Sequence, residues 1–166
     1  MRKLNINIFP IIKREIFKLL QDNDIYINDY CKKYIEHDKF NFSEIEEERK
    51  IIITTLEEMG FRESVTLPEI MGKAKELGYK LCDPSAGVYL RLAYKSQKNS
   101  NNSVLSGQHK SPDSAIQIVS EQLESDFEFP RGLYIRKVDN KLWLRGFVCD
   151  DEHKFSLDNE MAFELE

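Results

Sequence analysis

Leu133-Tyr134-Ile135-Arg136-Lys137-Val138-Asp139-Asn140-Lys141-Leu142-Trp143-Leu144-Arg145-Gly146-Phe147-Val148 is the stretch on which the reading of the fold turns. Two strand-like runs, Leu133 to Val138 and Lys141 to Val148, flank Asp139-Asn140, and asparagine tolerates the positive φ of a tight hairpin turn. A two-residue turn sets Val138 opposite Lys141, Arg136 opposite Trp143 and Tyr134 opposite Arg145. Leu133, Ile135, Leu142 and Leu144 then share a core face. Tyr134, Arg136, Trp143, Arg145 and Phe147 share the other. Trp, Tyr and Arg dominate binding hot spots, so this second face is the candidate binding surface. The same ladder also has a purely structural use, because cross-strand cation–π pairs stabilise a sheet by about 0.5–1 kcal/mol each.

Outward from the hairpin, Ala115 to Leu123 and Met161 to Leu165 are further candidate strands. Upstream the pattern reads as helical. Pro10 is placed to open a helix to about Gln21, with Ile12, Ile16, Leu19 and Leu20 on one face. Asn28 can cap a helix carrying Cys31, Tyr34 and Ile35. Ser43 with Glu46 forms a capping-box pattern before Ile45, Ile52, Leu56 and Met59, ending at Gly60. Thr66 with Glu69 repeats that pattern, with Pro68 in the first turn, and Gly78 supplies the stop. Asp83-Pro84-Ser85 precedes another helix carrying Val88 and Leu92.

The expected fold is therefore α+β, with N-terminal helices followed by a small C-terminal antiparallel sheet. Residues 1–60 form a helical part, and residues 61–166 an α+β domain. The polar stretch 96–112 is a flexible insertion within that domain.

The chain of 166 residues carries a net charge of −5, which argues against nucleic acid as the main partner. Its start is locally basic, with Arg2, Lys3, Lys13, Arg14 and Lys18 against Glu15. Cys31, Cys82 and Cys149 are odd in number and widely spaced, giving neither a disulfide framework nor a CxxC metal site. They read as reduced, buried thiols of a cytoplasmic protein. No stretch is long and apolar enough to span a membrane.

Catalytic and cofactor motifs are missing from the sequence. Seven glycines form no phosphate-binding loop, so no cofactor is expected. Asp150-Asp151-Glu152-His153 lacks the spacing of a calcium loop, and consecutive residues rarely converge on one metal ion. Cys82 has no His or other base near it in sequence to activate it. The leading expectation is a non-enzymatic interaction or regulatory protein, binding a protein partner through the hairpin face or the basic first helix. One alternative is nucleic-acid binding by a helix-turn-helix-like pair, Thr66 to Leu77 and Ser85 to Tyr94. It would be assisted by Lys95, Lys98 and Lys110, although the second helix has only Arg91 at mid-length, where a recognition helix normally offers more base-reading groups. The other is a metal-dependent hydrolase or nuclease with dispersed acids such as Asp150, Asp151 and Glu152.

From about Val65 to Leu165 the chain resembles a family of small, uncharacterised bacterial proteins. The resemblance rests on Gly78-Tyr79-Lys80-Leu81-Cys82-Asp83-Pro84, Leu90-Arg91-Leu92-Ala93-Tyr94, Phe129-Pro130-Arg131-Gly132 with the hairpin, and the acidic Asp150 to His153. It implies a bacterial or phage-borne origin and no assigned activity. Residues 1–60 and the stretch 96–112 depart from that family's pattern.

Overall fold

The computed structural model describes residues 1–100 and 114–166. The elements in chain order are β1 (Arg2–Ile8), α1 (Ile16–Asp22), β2 (Ile25–Ile27), α2 (Asp29–Glu36), β3 (Glu47–Thr55), β4 (Val65–Thr66), α3 (Leu67–Glu76), α4 (Ala86–Ala93), β5 (Asn99–Ser100), β6 (Ile116–Ile118), β7 (Gly132–Val138), β8 (Lys141–Phe147), β9 (Lys154–Phe155) and β10 (Glu160–Leu165). Eight of the strands build one mixed sheet in the order β1-β3-β10-β6-β7-β8-β2, with β5 also paired to β7. β4 and β9 form a separate antiparallel pair.

This corrects the expected fold class. The described residues form a large curled sheet with four short helices, not N-terminal helices before a small antiparallel sheet. The error lies mainly in residues 45–59, where β3 replaces the expected helix. Ile51, Ile52, Ile53, Thr54 and Thr55 are consecutive β-branched residues, which lose rotamer freedom in a helix and suit a strand. β3 pairs with β1 and β10 at its edges, and apolar clusters cover both of its faces, Ile51 and Ile53 lying in one and Ile52 in the other, so its apolar run is continuous rather than alternating. The Ser43 hydroxyl serves a local turn, accepting from Ile45 N and donating to Ile45 O, instead of capping a helix.

A second correction concerns the N-terminus. Leu4-Asn5-Ile6-Asn7-Ile8 alternates with period two, with Ile6 and Ile8 buried and Asn5 and Asn7 exposed, as the edge strand β1 requires. The helix expected from Pro10 starts only at Ile16, after a 3-10 turn over Lys13–Glu15. Residues 1–60 are thus not a helical part: β1 and β3 lie in the same sheet as β10.

At three other local caps and turns, sequence and structure agree. Asn28 accepts from Cys31 N and caps α2. Thr66 and Glu69 close the capping box of α3 with Pro68 inside it, and Gly78 at φ +78° follows its end. The hairpin register is as expected, with Arg136 opposite Trp143, Tyr134 opposite Arg145, and Asp139 and Asn140 both at positive φ.

The sheet divides two apolar clusters. Ile51, Ile53, Ile135, Leu144 and Ala162 face α1, α2 and α4, whereas Ile52, Met161 and Phe163 face α3 and the β4–β9 pair. α4 touches β1 at one side and β7 and β8 at the other. A flat sheet would hold β1 and β8 roughly 24 Å apart, twice the ~12 Å length of an eight-residue helix. The sheet therefore curls around α4, whose residues Ala86 to Arg91 are all buried. Gly87 permits the close approach: a Cβ there would meet Leu133 Cβ at 3.0 Å and Ile118 Cγ1 at 3.2 Å.

The insertion expected over residues 96–112 is corrected at its start. Gln97 and Ser100 are buried, and Asn99 and Ser100 form β5, which pairs with Lys137 and Val138. Residues 101–112 of that stretch lie outside the described residues.

Candidate cation–aromatic site

The five residues of the expected binding surface do share one face, but they do not share one environment. Arg136 is 1% exposed and Tyr134 is 6% exposed, so neither presents a surface. Arg136 Nη2 donates to Ser100 Oγ at 3.0 Å, joining β7 to β5. Tyr134 packs against Phe147, with ring centroids 6.2 Å apart, and Phe147 leans on the α3-side cluster. The expectation that Tyr134 and Arg136 bind a partner is corrected for that reason. They lie on an interior strand flanked by β8 on one side and by β5 and β6 on the other.

Trp143 and Arg145 are half-buried, and β2 brings a residue the sequence reading missed. Parallel pairing sets Tyr26 beside Trp143, and the two rings meet with centroids 5.2 Å apart. Tyr26 remains 45% exposed. The Arg145 guanidinium lies 4.1 Å from the Trp143 ring centroid, and Lys141 Nζ lies 5.5 Å from that of Tyr26. Each such exposed contact contributes about 0.5–1 kcal/mol. Neither Lys141 nor Arg145 forms an ion pair among the described residues. Two cations on two rings, without a carboxylate, stand out on a chain of net charge −5.

The supporting frame is rigid. Asn28 Oδ1 accepts from Cys31 N and from Gly146 N, while its Nδ2 donates to Gly146 O. One side chain thus caps α2 and extends the β2–β8 pairing. Gly146 is required here, because a Cβ would meet the Tyr30 carbonyl carbon at 2.6 Å and Cys31 N at 2.7 Å. A local cue was available in Ile25-Tyr26-Ile27, three strand-favouring residues. Their pairing with Leu142 to Leu144, more than a hundred residues on, had no signal in the sequence.

Other candidate residues of the sequence are engaged within the fold. Arg91 is fully buried in α4: its Nη1 donates to Gln97 Oε1 at 2.6 Å and to Arg136 O at 3.2 Å, and its Nη2 to Tyr94 O. Burial pulls its guanidinium down to about 10, and a helix so enclosed offers no face to a DNA groove. The basic start is tied into the fold, with Lys13 donating to His37 O and Phe40 O, and Arg2 to Tyr94 and Glu160. Asp150 accepts from Glu152 N and His153 N in a local turn. Among the described residues no three His, Cys, Asp or Glu side chains converge as a metal site. All three cysteines are free and buried. Burial pushes the Cys31 and Cys82 thiols far up and that of Cys149 up to about 11, the opposite of an activated nucleophile. A cleft of about 360 Å³ between β1, α1 and α4 is lined by Asn5, Asn7, Phe9, Asn23 and Tyr89. The Tyr89 hydroxyl is engaged there, donating to Phe9 O at 2.6 Å and accepting from Ser43 N at 3.2 Å.

Among the described residues no helix is long and apolar enough to cross a membrane. No family, curated protein or solved structure matches the chain.

Proposed function

We propose that this is a non-enzymatic interaction or regulatory protein that binds a protein partner through the outer face of β8 and β2. The observation that carries the reading is the stacking of Lys141 and Arg145 on Tyr26 and Trp143, with no carboxylate beside either cation among the described residues. Aromatic rings that keep arginine and lysine in place lower the side-chain entropy lost on binding, which favours an anchor over a mobile charge. The unpaired, buried cysteines fit action in a reducing compartment, as a cytoplasmic protein would require.

The test is affinity capture with the full chain and with Lys141→Glu/Arg145→Glu side by side, followed by binding of the purified candidate. A protein held by the native chain and lost by the variant supports the reading, provided the variant keeps its circular dichroism spectrum. A purified partner that binds both forms equally places recognition elsewhere and overturns it.

A further inference from the structure

We propose that the free edge of β2 takes up an extended segment of the partner, acidic on alternate residues and apolar on those between. This rests on the reading above and adds the mode of binding. Three observations meet at one place. β2 ends the sheet, and among the described residues it pairs only with β8, leaving its far edge without a strand. Beside that edge lies a cleft of about 450 Å³, lined by Phe17, Leu20, Gln21, Asp24 and β2 itself. On the opposite side of the same strand stands the cationic platform of Tyr26, Trp143, Lys141 and Arg145.

Strand geometry joins these features. An added strand runs about 4.8 Å from β2, and its side chains point alternately to the two faces of the sheet. Ile25 and Ile27 pair with Leu142 and Leu144 on the core side, so one set of incoming side chains enters the cleft beside Phe17 and Leu20. The other set emerges next to Tyr26, within reach of Lys141 and Arg145. The first set must be apolar to match the cleft. The second must be acidic to supply the carboxylates that the two cations lack. Main-chain hydrogen bonds then give affinity, and the alternation gives specificity. Asp24 at the end of the cleft and a net charge of −5 work against acidic segments in any other register.

The experiment uses the full chain and fluorescently labelled peptides, read by anisotropy. The probes are Glu-Val-Glu-Val-Glu-Val-Glu, its block isomer Glu-Glu-Glu-Glu-Val-Val-Val, Lys-Val-Lys-Val-Lys-Val-Lys, and an oligothymidylate. The alternating acidic peptide is expected to bind at least about tenfold more tightly than its block isomer and than the lysine peptide. Phe17→Ala and Lys141→Glu/Arg145→Glu should each weaken it by about tenfold or more, with the spectrum of the fold retained. Equal binding of the two acidic isomers, both lost in the charge variant, overturns strand addition while leaving the patch itself standing. Preference for the oligothymidylate overturns both the strand and the protein partner. Sedimentation showing a dimer that the charge variant dissolves makes the occupant a second copy of this chain, and overturns the proposal. No binding by the alternating peptide overturns it as well.

Discussion

Strands β7 and β8 carry the same kinds of residue on the same face of the sheet, yet Tyr134 and Arg136 are buried whereas Trp143 and Arg145 are half open. The difference is one of position. β7 is flanked by β8 on one side and by β5 and β6 on the other, while β8 is the penultimate strand and is followed only by the three residues of β2. Arg136 is therefore a cross-link inside the protein, held by Ser100, and Arg145 is a charge stacked on a ring at its surface. Identical chemistry gives structure in one strand and a candidate anchor in the next.

The comparison breaks first at the inner face, where the largest effect is expected. Leu144 is fully buried, and Leu144→Ala should cost about 2–5 kcal/mol in urea unfolding. A neutral result would invert the register and exchange the two faces. Arg136→Ala should cost about 1–3 kcal/mol, since it removes a buried hydrogen bond and the packing of a long stem. If Arg136→Ala is as mild as a surface substitution, β7 is open after all and the contrast with β8 disappears.

The side of β8 opposite Arg145 can be probed through Cys31, whose backbone lies against Gly146. Burial holds the Cys31 and Cys82 thiols above their ordinary value of 9.0. The native state keeps these protons where the unfolded chain releases them, so their contribution is fully present below pH 9.0 and is lost as the pH rises above it. The expected fall is about 1.4 kcal/mol per thiol per pH unit in that window. Cys31→Ala should flatten the alkaline slope by about that amount, measured by urea unfolding at about pH 8 and about pH 10. An unchanged slope would mean that α2 does not seal β8 from solvent.

Arg145→Ala closes the series, with an expected cost of no more than about 1 kcal/mol, the worth of one exposed cation–π contact. A loss as large as that of Arg136→Ala would make the whole ladder structural and remove the support for a binding face.

What could be read from the chain follows how far the decisive contacts reach. Asn28 and Cys31, Thr66 and Glu69, and the Asp139-Asn140 turn are partners within a few residues, so their chemistry could be recognised directly. The run Ile51 to Thr55 was misread because burial on both faces erases the period-two signal that separates strand from helix. Its β-branched composition was the cue that remained. The candidate site was half legible: Trp143 and Arg145 were placed on one face from the hairpin alone, and Tyr26 and Lys141 were not.

By itself, then, the sequence determined the Asn28 and Thr66 caps, the hairpin register, the division of β8 into an apolar and a cationic–aromatic face, and the lack of motifs for catalysis. Only the tertiary structure decided which strands lie beside one another outside that hairpin, and through that which arginine is buried. β2 reaches β8 across more than a hundred residues, and β3 meets β10 across a similar span. Such pairings are selected by how the apolar faces on both sides of the sheet close together, around α4 on one side and against α3 on the other, a condition that no local window of sequence contains.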